Sequence, residues 1–442
     1  MVAGPTLITD ADISGVLKNV YESYRINAFP IATPLMAQLR KGKTGGPENM
    51  RWGGNGVYWD VVLTRPVGMT SSPGGFFPPT AKAIERQANV GIQRTYVRRQ
   101  IDALAIQGTK EQEAAFIPLV RKFISEALDA ARLGQQEVLH GDGQGIKAEV
   151  NLVNSTTSIQ VSNPYGIGGS TVANAVGRGG LLLDVGMFIS VNAGATTTSR
   201  GTATISAVSN VGDQCTLTLD TAIASMASGD VVVSATTSDN AFGNYPNGLT
   251  NLLNRGAGYA SLHGITQASF ARWNTTQLVA GTDTPDSLQP SEMDVWTLAQ
   301  FVAGKSGKDA KVNPGEFLLQ TTPGIQKRLA ESFLGQRMLT PADFRPIKGG
   351  YKAIDVFGLP LIADYWNPGG TLYLVHLPSL AWVDRQDWVK LSFEGSGPWR
   401  FIAGQDAYEI NFGSYWNTAV LNRIAHGMIT GYSDTVRYDH TM

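Results

Sequence analysis

The segment that limits the possible folds of this chain most is KGKTGGPENMRWGGNGVYWDVVLTRPVGMTSSPGGFFPPT, residues 41–80. Within it, the β-branched and aromatic run YWDVVLTRPV predicts a strand, and the clustered glycines and prolines on both sides predict turns. The segment is therefore interpreted as a long two-stranded loop. An isolated two-stranded hairpin is at best marginally stable in water, so this loop needs another surface to lie on.

The same loop carries aromatic side chains that it cannot bury by itself. We expect four of them to be exposed on an isolated chain and to contact another subunit: Trp52, Trp59, Phe76 and Phe77. Exposed apolar groups that lie close together on a soluble protein mark interaction surfaces. These four residues are the candidate inter-subunit contacts.

Two helices are predicted around this loop. Residues 1–40 read as an arm, in which ISGVLKNVYESY at 13–24 has helical periodicity. Thr109 and Gln112 fit a capping box, and the apolar period after them predicts the longest helix, which ends at His140 with Gly141 as its C-cap. Pro118 predicts either a kink or a later start at Leu119.

The composition changes abruptly at residues 146–237. Few charged residues and no Trp occur there, whereas Ser, Thr, Val and Gly dominate. Short strand-like runs such as GTATISAV and QCTLTLD alternate with turn signals such as NVGDQ and SMASGD. This pattern predicts a small antiparallel β-domain that is inserted between two flanking linkers.

Mixed α and β patterns follow the predicted insertion. Helices are expected at SEMDVWTLAQFVAG and TPGIQKRLAESFLG, with Ser291 and Thr322-Pro323 as caps, and EFLLQT and LPLIADYW read as strands. The last stretch, from residue 376, is rich in strands and in Trp. These helix and strand patterns indicate an α+β fold class. At 442 residues the chain also exceeds the size at which one core stops growing, about 250–300 residues, so several packed units are expected.

Composition excludes several classes of protein. The formal net charge of −1 is far from the strongly basic balance of a dedicated nucleic-acid reader, and the single cysteine, Cys215, allows no internal disulfide or thiolate metal site. The first residues lack a signal-peptide pattern, and no apolar run is long enough to span a bilayer. We therefore expect a soluble, intracellular protein.

No motif in the sequence predicts catalysis. Lys43 and Lys305 both follow a glycine and precede Thr or Ser as in a phosphate loop, but alanine replaces the first glycine of that motif, at Ala37 and Ala299. The five histidines show no metal-binding spacing, and no nucleophile elbow occurs. Neither an enzyme nor a cofactor or metal site is expected, and the chain reads as a subunit that contacts copies of itself.

The order of these parts resembles the major capsid protein of tailed phages, with the Hong Kong 97-type fold. The resemblance implies the following division: an arm at 1–40, an extended loop at 41–80, a peripheral domain with its spine helix at 81–145, the inserted β-domain at 146–237, an axial α/β domain at 238–375, and return strands of the peripheral domain at 376–442. It covers about 350 residues and rests on order and pattern, because this family has little sequence signature.

The resemblance also implies the function and the partners. The chain would self-assemble as pentamers and hexamers into the icosahedral head of a phage, formed in the cytoplasm of a bacterial host and enclosing double-stranded DNA without sequence specificity. A separate scaffolding protein, a portal protein and a decoration protein on the inserted domain would be partners, and no membrane is involved. The insertion would either strengthen the shell or bind the decoration protein.

Two other functions stay open at this point. An encapsulin-like compartment would share the fold but hold protein cargo instead of DNA. A carbohydrate-binding protein or an enzyme could use the aromatic side chains as a sugar platform, although the predicted insertion contains no Trp. The nucleic-acid content of purified particles would separate the first alternative from a phage head.

Overall fold

A computed structural model describes most of the chain from residue 50 to residue 434, together with Leu35, Met36 and Leu39. The described ranges are 50–54, 56–64, 82–103, 113–166, 179–211, 214–235, 240–254, 260–283, 288–310, 312–334, 344–346, 352–391 and 399–434. Side-chain statements below concern these residues only, and exclude residues 113–123, 210–211, 214, 333–334, 344–346, 352–353 and 399.

The first sheet is an antiparallel hairpin with one added short strand. Strand β1 (Arg51–Gly53) pairs with β2 (Gly56–Thr64), and β2 pairs with β3 (Ile84–Gly91). The two-stranded loop predicted from the sequence is therefore present as β2 and β3. Its return strand lies beyond Thr80, so the hairpin extends past the predicted boundary.

The long helix and the strand before it lie in the segment predicted as the peripheral domain, and that name is kept for it. Strand β4 (Gln93–Asp102) follows β3 after one residue, and helix α1 (Glu113–His140) ends at the predicted residue. The helix begins ahead of Pro118, and the capping box proposed at Thr109 lies outside the described residues. Gly141 donates its N–H to the carbonyl oxygen of Val138, 3.0 Å away.

Residues 146–234 contain a closed six-stranded β-barrel. Its antiparallel strands have the order β10-β5-β6-β9-β8-β7. They are β5 (Ile146–Ser155), β6 (Ser158–Ser162), β7 (Phe188–Asn192), β8 (Ser199–Val211), β9 (Gln214–Leu219) and β10 (Val231–Ser234). Alternating apolar residues fill its interior, and Cys215 is one of them. Closure leaves the small domain without free sheet edges, which suits a sequence made of short strands.

A mixed seven-stranded sheet, with order β13-β22-β18-β14-β17-β16-β15, lies mostly in the segment predicted as the axial domain, and that name is kept for it. Its elements and the short elements before it are α2 (Leu249–Leu253), β11 (Ser261–Leu262), β12 (Ile265–Thr266), β13 (Thr276–Val279), α3 (Glu292–Ser306), β14 (Phe317–Thr321), α4 (Pro323–Leu334), β15 (Phe344–Pro346), β16 (Lys352–Val356), β17 (Leu359–Ala363) and β18 (Leu372–His376). Helix α3 starts with the predicted cap, a capping box between Ser291 and Asp294.

The return strands divide between two sheets. Strands β19 (Leu380–Lys390), β20 (Trp399–Phe401) and β21 (Ala407–Val420) form the peripheral sheet together with β4. The last strand, β22 (Gly427–Thr430), lies instead inside the axial sheet, parallel to β13 and antiparallel to β18. The prediction that all of 376–442 returns through the peripheral domain is therefore wrong for β22, which has apolar contacts on both faces of the axial sheet.

Because side chains alternate between the two faces of a strand, the axial sheet contributes side chains to two hydrophobic cores. Phe317 and Leu319 of β14 face a core that also contains α3 and α4. Leu318, between them, faces a second core that includes the hairpin, α2 and one end of the peripheral sheet. One sheet therefore joins the axial helices on one side to the hairpin and peripheral domain on the other. The barrel has a separate core of its own.

Candidate subunit-contact surfaces

The proximal half of the hairpin is anchored in the chain's own core. Val57 and Ala88 are fully buried, and Trp59 is only 5% exposed. The Trp59 ring meets the edge of His263 at a centroid distance of 5.0 Å, and Asn89 donates its N–H to the carbonyl oxygen of His263 at 3.2 Å. Burial and the nearby Arg423 lower the pKa of His263 to about 3, so its neutral ring accepts from the Val420 N–H.

This anchoring corrects one of the four predicted contacts. Trp59 is not exposed, because β11 and β12 supply the partner surface that the loop sequence lacks. Trp52 on β1 is 45% exposed and stays a candidate contact. Phe76 and Phe77 lie outside the described residues. Their role as contacts stays a prediction.

The distal half of the hairpin projects apolar side chains into solvent. Val62 is 63% exposed and Ile84 is 41% exposed, whereas Trp59 in the same hairpin is buried. Val62 pairs with Glu85 across the ladder, and Thr64 pairs with Ile84 at its far end. The hairpin is therefore rooted in the core as far as Leu63, whereas Val62 and Ile84 leave an apolar surface exposed on its outer part.

The axial domain exposes a second apolar surface on helix α3. Met293 is 63% exposed and Phe301 is 56% exposed, which is unusual for large apolar residues of one helix. Strand β13, next to α3, lies at the edge of the seven-stranded sheet and includes Val279, 40% exposed. A groove of about 430 Å³ runs between this strand and Phe301.

A buried polar junction holds the peripheral and axial domains together. Asp364 accepts hydrogen bonds from Gln136 Nε2 at 2.6 Å, from His140 Nε2 at 3.1 Å and from the Trp366 N–H at 3.0 Å. Met36 donates its N–H to Gln136 Oε1, which ties the end of the arm to the same site. Sequence reasoning missed this junction because Gln136 and Asp364 are 228 positions apart and follow no motif.

The barrel is attached to α1 by a buried ion pair and a tight turn. Lys147 Nζ lies 2.9 Å from Glu137 Oε2, and Asp142 Oδ1 accepts from the Gln144 N–H at 2.9 Å. Gly145 has a φ of 79°, and a Cβ there would lie 2.4 Å from the Tyr245 ring. These contacts fix the turn between α1 and β5. Burial raises the pKa of Asp142 to about 7, although several backbone N–H groups oppose the shift.

The Asp142 environment predicts a pH dependence of stability. Its carboxyl holds a proton up to about pH 7 in the folded chain but ionises near 4 when unfolded. The unfolded state therefore releases this proton first, and the free energy of unfolding should fall between pH 4 and 7. Asp142→Asn removes this pH dependence. In urea unfolding, the free energy of unfolding of the variant relative to the wild type should therefore increase between pH 5 and 7.5. If the free energies of unfolding of the two proteins differ by the same amount at pH 5 and at pH 7.5, the raised pKa of Asp142 is contradicted.

The described residues contain no cluster of three or more His, Cys, Asp or Glu that could hold a metal ion. Cys215 lies inside the barrel, where burial raises the pKa of its thiol to about 12. Lys305 lies in the last turn of α3 and donates to the carbonyl oxygen of Asn274, whereas a phosphate loop precedes its helix. No helix in the described part of the chain is long and apolar enough to cross a membrane.

With its hairpin, long helix, barrel and mixed sheet, this chain has the fold of a phage capsid protein. A solved structure that supports this is the cyanophage A-1(L) capsid, with a TM-score of 0.53 at 12% identity, covering 93% of this chain and 95% of that chain. The match confirms, at the level of the fold, the Hong Kong 97-type resemblance inferred from the sequence.

Two further solved structures show weaker similarity. An encapsulin complex of Synechococcus elongatus has a TM-score of 0.44 at 9% identity, over 97% of this chain and 98% of that chain. A solved structure from Mycobacterium phage Bobi has a TM-score of 0.41 at 10% identity, over 96% of this chain and 98% of that chain. No family model matches the chain, and no curated protein is significantly similar to its sequence.

Proposed function

We propose that this chain is the major capsid protein of a tailed bacteriophage, which assembles into an icosahedral head around double-stranded DNA. The observation that supports this most is a capsid fold shared over 93% of the chain, with a projecting hairpin that exposes Val62 and Ile84. Pentamers and hexamers of the chain would form the shell, and the subunits would contact one another through the hairpin, including Trp52, Phe76 and Phe77.

The remaining partners follow from the same proposal. A separate scaffolding protein would guide assembly in the host cytoplasm, and a portal protein would occupy one vertex of the virion. A decoration protein would bind the barrel, whose own core sets it apart from the rest of the subunit. DNA would be held by enclosure and without sequence specificity, which agrees with a net charge of −1.

Electron microscopy of the protein expressed in bacteria together with its scaffolding protein tests the proposal. We expect closed shells of uniform diameter with five-fold and six-fold clusters of subunits. Shells that contain a defined protein cargo and no DNA after assembly with phage packaging components would instead indicate an encapsulin-like compartment. A chain that stays monomeric at high protein concentration, with its scaffolding protein present, would contradict a shell-forming function.

A further inference from the structure

The two-residue turn between β11 and β12 contains a buried histidine in an uncommon backbone conformation. His263 and Gly264 form this turn, and both have a positive φ, 53° and 79°. Two-residue hairpin turns of this kind favour Asn-Gly, and a positive φ is uncommon for residues other than glycine. The side chain of His263 is nevertheless buried. The fold therefore places an imidazole ring in its interior at a position where the backbone favours a smaller residue.

Three elements meet at His263. Its carbonyl oxygen accepts the N–H of Asn89 on β3 at 3.2 Å, and its ring contacts Trp59 on β2 in an edge arrangement. Its ring Nε2 accepts the N–H of Val420, the last residue of β21, at 3.2 Å. This one residue therefore connects both strands of the hairpin to the end of the peripheral sheet.

The hydrogen bond to β21 requires a neutral ring. A backbone N–H only donates, so Nε2 must offer a lone pair, whereas both ring nitrogens of a protonated imidazole are donors. The charged group that faces the ring is Arg423, whose guanidinium donates to the carbonyl oxygens of Leu252 and Asn254. A proton on His263 would add a second buried positive charge beside the first. Protonation is therefore unfavourable while the ring stays in place.

The other neighbours of the ring carry no charge that would offset a proton. From the hairpin the ring meets the indole of Trp59, and from β21 it meets the backbone of Val420. Asp60, the next residue of β2, is exposed and points to the opposite face of the strand. Burial and Arg423 lower the pKa of His263 to about 3, whereas a histidine in water has a pKa of about 6.5. The ring therefore binds a proton much more readily once it has left this place.

We propose that His263 is an acid-sensitive switch that holds the proximal half of the hairpin: on protonation its bond to Val420 breaks, and Trp59 with β2 and β3 separates from the β11–β12 turn. The ligand that operates the switch is the proton. Because the open state binds it and the closed state does not, acid shifts the population toward the open state. The proposal concerns a single subunit and does not depend on shell formation.

The size of the effect follows from the difference in proton affinity between the two states. For a ring whose pKa is near 6.5 when open and about 3 when closed, the ratio of open to closed subunits rises on the order of 50-fold between pH 7 and pH 4.5. The closed state thus has its full advantage above about pH 6.5 and loses it progressively as the pH falls toward 3.

Hydrogen–deuterium exchange of the full-length chain tests the proposal, with rates normalised for the intrinsic pH dependence of exchange. Peptides that cover residues 56–60 and 87–91 should lose protection on the order of 50-fold from pH 7 to pH 4.5. Strands β6 and β9 of the barrel contain no histidine and serve as the internal reference, so their protection should not fall. Equal protection of the hairpin peptides at both pH values, or the same loss in β6 and β9, would overturn the proposal.

Two variants without a titratable ring separate His263 from the other buried histidines. His263→Gln keeps an acceptor for the Val420 N–H, so the hairpin peptides should keep their protection at both pH values. His263→Asn suits the turn but is too short to reach Val420, so protection should be lower at pH 7 and should not fall further at pH 4.5. If either variant shows the wild-type loss on acidification, His376 or His426 responds to acid instead, and the proposal is wrong.

Discussion

A subunit in which residues 65–83 are replaced by an Asn-Gly turn is expected to fold normally and to form no shells. Thr64 and Ile84 are cross-strand partners, so a two-residue turn can close the ladder between them. The core residues Val57, Trp59 and Leu63 of the hairpin remain in place in this variant. Circular dichroism and urea unfolding should match the wild type, and electron microscopy should show no closed particles.

The extent of the replacement matters for this experiment. A deletion that began near residue 45 would also remove Trp59 and Leu63 from the core, and the subunit would fail for lack of stability. Val62→Ser offers a point variant of the same contact, with an expected several-fold loss of assembly yield. Val185→Ser on the barrel, 55% exposed, is its control. Normal shells from the shortened hairpin would refute its role in assembly.

Asp364→Ala is expected to be the most destabilising single substitution at the domain junction. It leaves the buried donors of Gln136, His140 and the Trp366 backbone without their acceptor. Each orphaned donor costs about 1–3 kcal/mol, so the total loss should be on the order of 3 kcal/mol or more. The midpoint of urea unfolding should fall clearly.

Asp364→Asn is the matched control for that substitution. It keeps the shape of the side chain and one acceptor oxygen, so the unfolding midpoint should lie between those of the wild type and Asp364→Ala. If the alanine variant unfolds at the wild-type urea concentration, the junction does not hold the peripheral and axial domains together.

Local patterns in the sequence were sufficient for the parts of the fold that local contacts determine. The capping box at Ser291, the end of α1 at His140 and the alternation of short strands in 146–237 each depend on neighbouring residues. The position of β22 could not be predicted in this way. Its partner β13 precedes it by about 150 residues, and a short apolar strand carries no signal for the sheet it joins.

The burial of Trp59 shows the same limit within the candidate contact surface. The loop sequence correctly indicated a hairpin that needs a partner, but the partner of its proximal half is β11 and β12 of the same chain. Nothing in residues 41–80 distinguishes Trp59 from Trp52, because the difference comes from His263, about 200 positions away. Exposure depends on tertiary packing, whereas strand propensity can be read locally.

The two ends of the barrel meet at one point of the subunit. Ile146, its first strand residue, is the cross-strand partner of Val233 near its end. Cα atoms of such partners lie about 5 Å apart, so the chain before the barrel and the chain after it can be joined directly. The site is thus suited to domain exchange: a foreign protein with adjacent termini could replace the barrel and be displayed, once per subunit, at a regular spacing on any assembly that the subunit forms.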